Sequence, residues 1–134
     1  MKEIAAASPA LPWRRATAWL LFLGPFFFAS YRFAKAFGPT PPDPAVMAWL
    51  KGRIDSAYSI VDKHLAMREF VVGAHATIAD FSLAGYVFYP VEESGYAIEG
   101  RYPHLAAWRE RMRTIPGWAS PYDILPGERI APKW

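Results

Sequence analysis

Residues 73–89 read GAHATIADFSLAGYVFY, and this stretch decides the fold. Thr77-Ile78-Ala79-Asp80 has the form of a helix N-terminus: a threonine at the cap accepts from an amide of the first turn, and an acidic side chain three residues on reaches back to the cap's own amide. The helix it opens is expected to run to about Tyr89. It carries Ile78, Ala79, Phe81, Leu83, Ala84, Tyr86, Val87, Phe88 and Tyr89 with almost nothing polar, so it is expected at the centre of the domain.

On the N-terminal side, Asp43-Pro44 marks another helix start, because Asp accepts from free amides and proline at the first helical position loses no needed donor. From Pro44 to about Leu65 the apolar residues Leu50, Ile54, Ala57, Tyr58, Val61 and Leu65 recur on one helical face. Before it, Arg14 to Phe37 is dominated by aromatics, Leu and Ala, which predicts a long, mostly buried helix kinked at Pro25 and stopped by Gly38-Pro39-Thr40-Pro41-Pro42. On the C-terminal side, Pro90 and Gly95 bracket an exit loop. Tyr102-Pro103 then opens a helix with Leu105, Trp108, Met112 and Ile115 on one face and arginines on the other, closed by Pro116-Gly117. No segment alternates with period two between hairpin turns. The expectation is an all-α bundle of about five helices: residues 1–13 a tail or truncated linker, 14–118 the helical domain, 119–134 a C-terminal tail.

The chain of 134 residues is about one domain's worth, with 53% hydrophobic residues and a formal net charge of only +3. That charge is too small and dispersed for a nucleic-acid footprint, and Arg109, Arg111 and Arg113 read as the solvated face of a helix. There is no cysteine, which excludes disulfides, thiolate metal sites and a cysteine nucleophile and fits a cytoplasmic address. The uncharged run Ala16 to Tyr31 is shorter than the about 20 residues a membrane span needs and is interrupted by Gly24-Pro25. His64, His75 and His104 lack metal-ligand spacing, and no metal is expected. Glu92 and Glu93 are adjacent, so their side chains diverge rather than pair for acid–base work.

Gly73 with Thr77-Ile78-Ala79-Asp80 and Leu83, followed by Tyr102-Pro103-His104-Leu105 and Trp108, resembles the C-terminal domain of bacterial cytosolic glutathione transferases, over about Arg14 to Trp118. The resemblance implies that Thr77 and Asp80 form a buried structural N-capping box with no catalytic part. It also implies a weakened hydrophobic staple, with Ala76 opposite Phe81. In such an enzyme a thioredoxin-like domain holds glutathione, the co-substrate, and the helical domain supplies the pocket for a hydrophobic electrophile. Residues 1–13 cannot be that first domain, and the motif bearing the family's catalytic residue is absent. No catalytic residue and no cofactor are assigned to this chain, and in isolation it is expected to be inactive. The implied partners are a thioredoxin-like domain, a hydrophobic electrophile and a second copy in a homodimer, with no nucleic acid and no membrane. Helix one carries more large aromatics than one core face needs. Core plus subunit interface is one reading; the other is an apolar ligand pocket, for which Trp19, Phe22, Phe26 and Tyr31 are the candidates. A non-enzymatic interaction module of the same fold is the alternative function, and a membrane-associated protein using the Phe-rich helix ranks below both.

Overall fold

Asp43 caps its helix as the sequence requires, with Oδ1 accepting from the amides of Ala45 (2.7 Å) and Val46 (3.4 Å). In the computed structural model that helix is the second of six: α1 (Pro12–Phe37), α2 (Pro44–Leu65), α3 (Ile78–Val87), α4 (Val91–Ser94), α5 (Pro103–Arg113) and α6 (Pro121–Ile124). The structure describes residues 12–94, 96–124 and 127–134, and the side chains of these except 12–22 and 121. No strand occurs among the described residues.

The buried residues of α2 are Leu50, Ile54, Ala57, Tyr58, Val61 and Leu65, the face set by its helical period. Those of α5 are Leu105, Trp108 and Met112, all fully buried, with Ile115 packed at the core's margin. α1 packs on α2 and on α3, and α2 packs on α5. The α1–α2 approach is close: a Cβ added at Gly24 would lie 3.3 Å from Ala57 Cβ, tighter than ordinary side-chain contact. α1 runs unbroken through Pro25.

Three expectations are corrected. α4 and α6 are single helical turns inside segments expected to be an exit loop and a tail. α3 is not buried all round: Asp80, Leu83, Ala84 and Val87 face inward, while Ile78 (85% exposed), Phe81 and Gly85 face out. Mean apolarity sets how much surface a helix would gain by burial, not whether a neighbour is there to cover it.

The capping box closes around α3. Thr77 N–H and its hydroxyl donate to Asp80 Oδ2 (2.9 and 3.0 Å), and Thr77 Oγ1 accepts from Ala79 N–H at 3.3 Å. Asp80 Oδ1 also accepts from the Val71 amide and from Trp108 Nε1, both at 2.9 Å. Phe81 stacks on Trp118, ring centroids 6.4 Å apart. α5 gets no cap from its own Tyr102 side chain. Asp62 of α2 supplies one instead, accepting from His104 N–H (2.8 Å) and Leu105 N–H (2.9 Å).

Candidate functional site

Two open clefts are lined by described residues. The first lies between α1 and α3, about 170 Å³, and is lined by Phe28, Ala29, Arg32, Phe33 and Phe37 of α1 with Tyr86 and Tyr89. Its lining follows from helical spacing: Phe28 and Arg32 are one turn apart, as are Phe33 and Phe37, whose rings lie 5.4 Å apart. Phe28 meets Tyr86 and Tyr89 at 6.3 and 5.7 Å.

Arg32 is the one charged side chain in this lining. Its guanidinium lies 4.0 Å above the Tyr89 ring, and one terminal nitrogen pairs with Glu93 Oε2 at 2.5 Å. Glu93 is almost wholly buried, and its other oxygen accepts from the Tyr122 hydroxyl of α6. Burial, the hydrogen bond to Glu93 and its charge raise the Tyr122 pKa. Arg32 Nε is buried and meets no acceptor among the described residues. The cluster thus ties α1, α4 and α6 together around a cation whose charge is already offset.

The second cleft, about 380 Å³, lies on the open side of α3. Phe81, Ala84 and Gly85 form one wall, and Ile115, Pro116, Gly117, Trp118, Ala119 and Ile124 form the other. Gly117, at φ +81°, makes the turn that swings Trp118 back toward α3, where it meets Phe88 just past the helix end at 4.5 Å. No polar cluster reaches into it that could do chemistry.

The sequence-expected pocket residues are spread out. Trp19 and Phe22 lie outside the residues whose side chains are described. Tyr31 is buried in the core with Lys35 Nζ 5.5 Å over its ring, and Phe26 is 62% exposed on another side of α1. Neither lines either cleft. Phe26 instead begins an aromatic edge, meeting Phe27 at 5.7 Å, which meets Trp49 of α2 at 5.4 Å, with Arg53 over both of the latter rings. Sequence reasoning missed Arg32, Tyr89 and Tyr122, and read Glu93 only as one of a diverging pair. That divergence is present, Glu92 exposed and Glu93 buried. The arginines of α5 are engaged on the surface: Arg109 with Glu99 and Glu110, Arg113 with Glu110, and Arg111 Nε with the Glu69 carbonyl.

A remaining polar cluster lies on α2, where Asp55 accepts from the hydroxyls of Tyr96 and Tyr102 (the latter 2.8 Å) and pairs with Arg101 at 2.9 Å. Burial raises the Asp55 pKa, but the two hydroxyls and the charges of Arg101 and Lys51 outweigh it and hold the carboxyl below its ordinary value. No group of three or more ligating side chains able to hold a metal occurs among the described residues, and no described helix is long and apolar enough to cross a membrane.

Residues 25–116 match the family model described as glutathione S-transferase, C-terminal domain. Bovine glutathione S-transferase theta-1 is 31% identical over 78 residues, which is 58% of this chain and 32% of that protein; human theta-1 matches to the same extent. Among solved structures, a glutathione S-transferase from Xanthobacter autotrophicus Py2 superposes with a TM-score of 0.65 at 27% identity, covering 89% of this chain and 60% of that one. One from Pseudomonas fluorescens Pf-5 gives 0.60 at 26%, covering 81% and 56%. The chain therefore spans about a third of the length of these curated relatives and under two thirds of these solved chains. With the capping box, the Trp108–Asp80 bond and the all-helical order already in place, the match over most of its length makes this chain a member of the glutathione S-transferase C-terminal domain family.

Proposed function

We propose that this chain is the hydrophobic-ligand-binding half of a bacterial glutathione transferase, in which a thioredoxin-like partner domain binds glutathione and the α1–α3 cleft receives an apolar electrophile. The observation that carries the reading is the aromatic cleft itself, five rings around Arg32. α1 remains the ligand-bearing helix, with Phe28, Phe33 and Phe37 as the lining and Phe26 on the outer aromatic edge. The uncovered apolar side of α3, where Ile78 and Phe81 meet solvent, supports a place for the partner domain. The Phe26–Phe27–Trp49 edge supports a homodimer through α1 and α2. Glutathione is the main thiol buffer of the cytosol, which is the compartment proposed.

The isolated chain should bind flat apolar arenes yet conjugate none to glutathione, because Arg32, the one cation in the cleft, is already paired with Glu93 and nothing there orients a thiol as a nucleophile. Phe37→Ala, at an exposed wall position, is expected to weaken arene binding about fivefold or more, the scale of losing one aromatic contact of about 1 kcal/mol. Turnover above the buffer rate by this chain alone, or arene affinity indifferent to Phe37→Ala, would overturn the reading. An interaction module without ligand binding would give the second result.

A further inference from the structure

The guanidinium of Arg32 is an unusual wall for an apolar cleft, and what already holds it defines what it can recognise. A guanidinium offers five N–H donors in one plane. Here one terminal nitrogen is committed to Glu93, one face is covered by Tyr89 at 4.0 Å, and Nε is buried without an acceptor among the described residues, so any donor a ligand meets lies on a terminal nitrogen. Arg32 keeps 15% of its side-chain surface exposed and lines the cleft. The donors are left over; the charge is not, because Glu93 lies 2.5 Å away and is itself held by Tyr122.

An anion brought to Arg32 would meet the Glu93 carboxylate across the same guanidinium, and like charges at that range repel. A neutral acceptor takes the hydrogen bond without that repulsion. The other walls are rings suited to a flat arene. We propose that Arg32 is the specificity-determining residue of this cleft, selecting planar aromatic ligands that carry a neutral hydrogen-bond acceptor, such as an aryl ketone or nitroarene, over bare arenes and over aromatic carboxylates. Glu93 and Tyr122 act as positioning residues that fix the guanidinium and cancel its charge. The inference rests on the cleft being the ligand site.

The test compares three probes on the full chain: a naphthyl ketone, its carbonyl-free parent arene and the corresponding naphthoate. The ketone is expected to bind at least fivefold more tightly than either of the others. Its carbonyl stretch should shift to lower wavenumber on binding, as hydrogen-bond donation weakens the C=O bond. The double variant Arg32→Leu/Glu93→Leu removes both charges together and leaves neither buried alone. In it, the ketone's advantage over the arene should be lost, and the carbonyl shift should disappear. A ketone-to-arene ratio near one in the parent protein, a naphthoate that binds most tightly, or a preference that survives in the double variant overturns the inference. Should that variant not fold, the ratio and the carbonyl shift in the parent decide it alone. If Phe37→Ala weakens all three probes while the ketone shows no preference, this inference fails and the ligand site stands; if Phe37→Ala weakens none, the site itself is misplaced.

Discussion

Trp108 Nε1 donates to Asp80 Oδ1 at 2.9 Å, so the one large ring fully buried on α5 is fastened to the carboxylate that caps α3. The same oxygen receives the Val71 amide from the preceding loop. Asp80→Ala is therefore expected to cost more than a lost cap. Two buried donors, the Val71 amide and the Trp108 indole, lose their acceptor at about 1–3 kcal/mol each, giving about 3 kcal/mol or more in all. Asp80→Asn keeps one acceptor oxygen and should cost less. Urea midpoints of the parent and both variants order these effects, and an Asp80→Ala midpoint equal to the parent's removes the hub.

Stability should fall at both ends of the pH scale because of Asp55 and its two tyrosines. The folded Asp55 carboxyl lies below its ordinary value, so its contribution is present above about pH 4 and is lost as the pH falls through the depressed folded pKa. Tyr96 and Tyr102 are raised, by burial first and then by their bonds to Asp55. Their contribution is present below about pH 10 and disappears as the pH rises beyond it. Asp55→Asn should flatten the acid limb, and Tyr96→Phe the alkaline one. Urea unfolding from pH 3 to 11 measures both limbs, and unchanged slopes in the variants would place the pH dependence elsewhere.

Self-association should depend on the outer aromatic edge. Trp49 is 53% and Phe26 62% exposed although both sit in a chain of touching rings. Trp49→Asp is expected to shift the sedimentation profile toward monomer while leaving helicity unchanged, since the site is not in the core. A parent protein that sediments as a monomer at all concentrations excludes this interface.

What could be read from sequence, and what could not, divides along physical lines. The inward face of α2 was legible residue by residue because charged residues such as Lys51, Arg53 and Lys63 fall off that face on the rest of the circumference. The cap at Thr77 and Asp80 was legible because its parts are three residues apart. α1 offers no such contrast: where Phe follows Phe from Phe26 to Phe28, only the neighbours decide that Phe28 is buried and Phe26 is not. The bonds that organise the site join residues far apart in sequence, Arg32 to Glu93, Trp108 to Asp80 and Leu105 to Asp62, and no local pattern announces them. Glu93 read only as one of an adjacent pair with diverging side chains, and nothing near Arg32 in sequence names its partner. Their pairing depends on the path of the chain between α3 and α4.

Gly24 and Ala57, where α1 and α2 come closest, make a fulcrum. Phe37 sits 13 residues further along α1, about 20 Å at the helical rise of 1.5 Å per residue. With the crossing fixed by two nearly bare backbones, a tilt of about five degrees there swings the far end by about 1.7 Å, enough to widen or narrow the space between Phe37 and Tyr86. On the ligand-site reading proposed above, the breadth of ligands would be set at a contact well removed from the cleft. Gly24→Ala, which wedges a methyl group into the crossing, should change the relative affinities of narrow and broad arenes; identical rankings in parent and variant would show that α1 does not lever about this point.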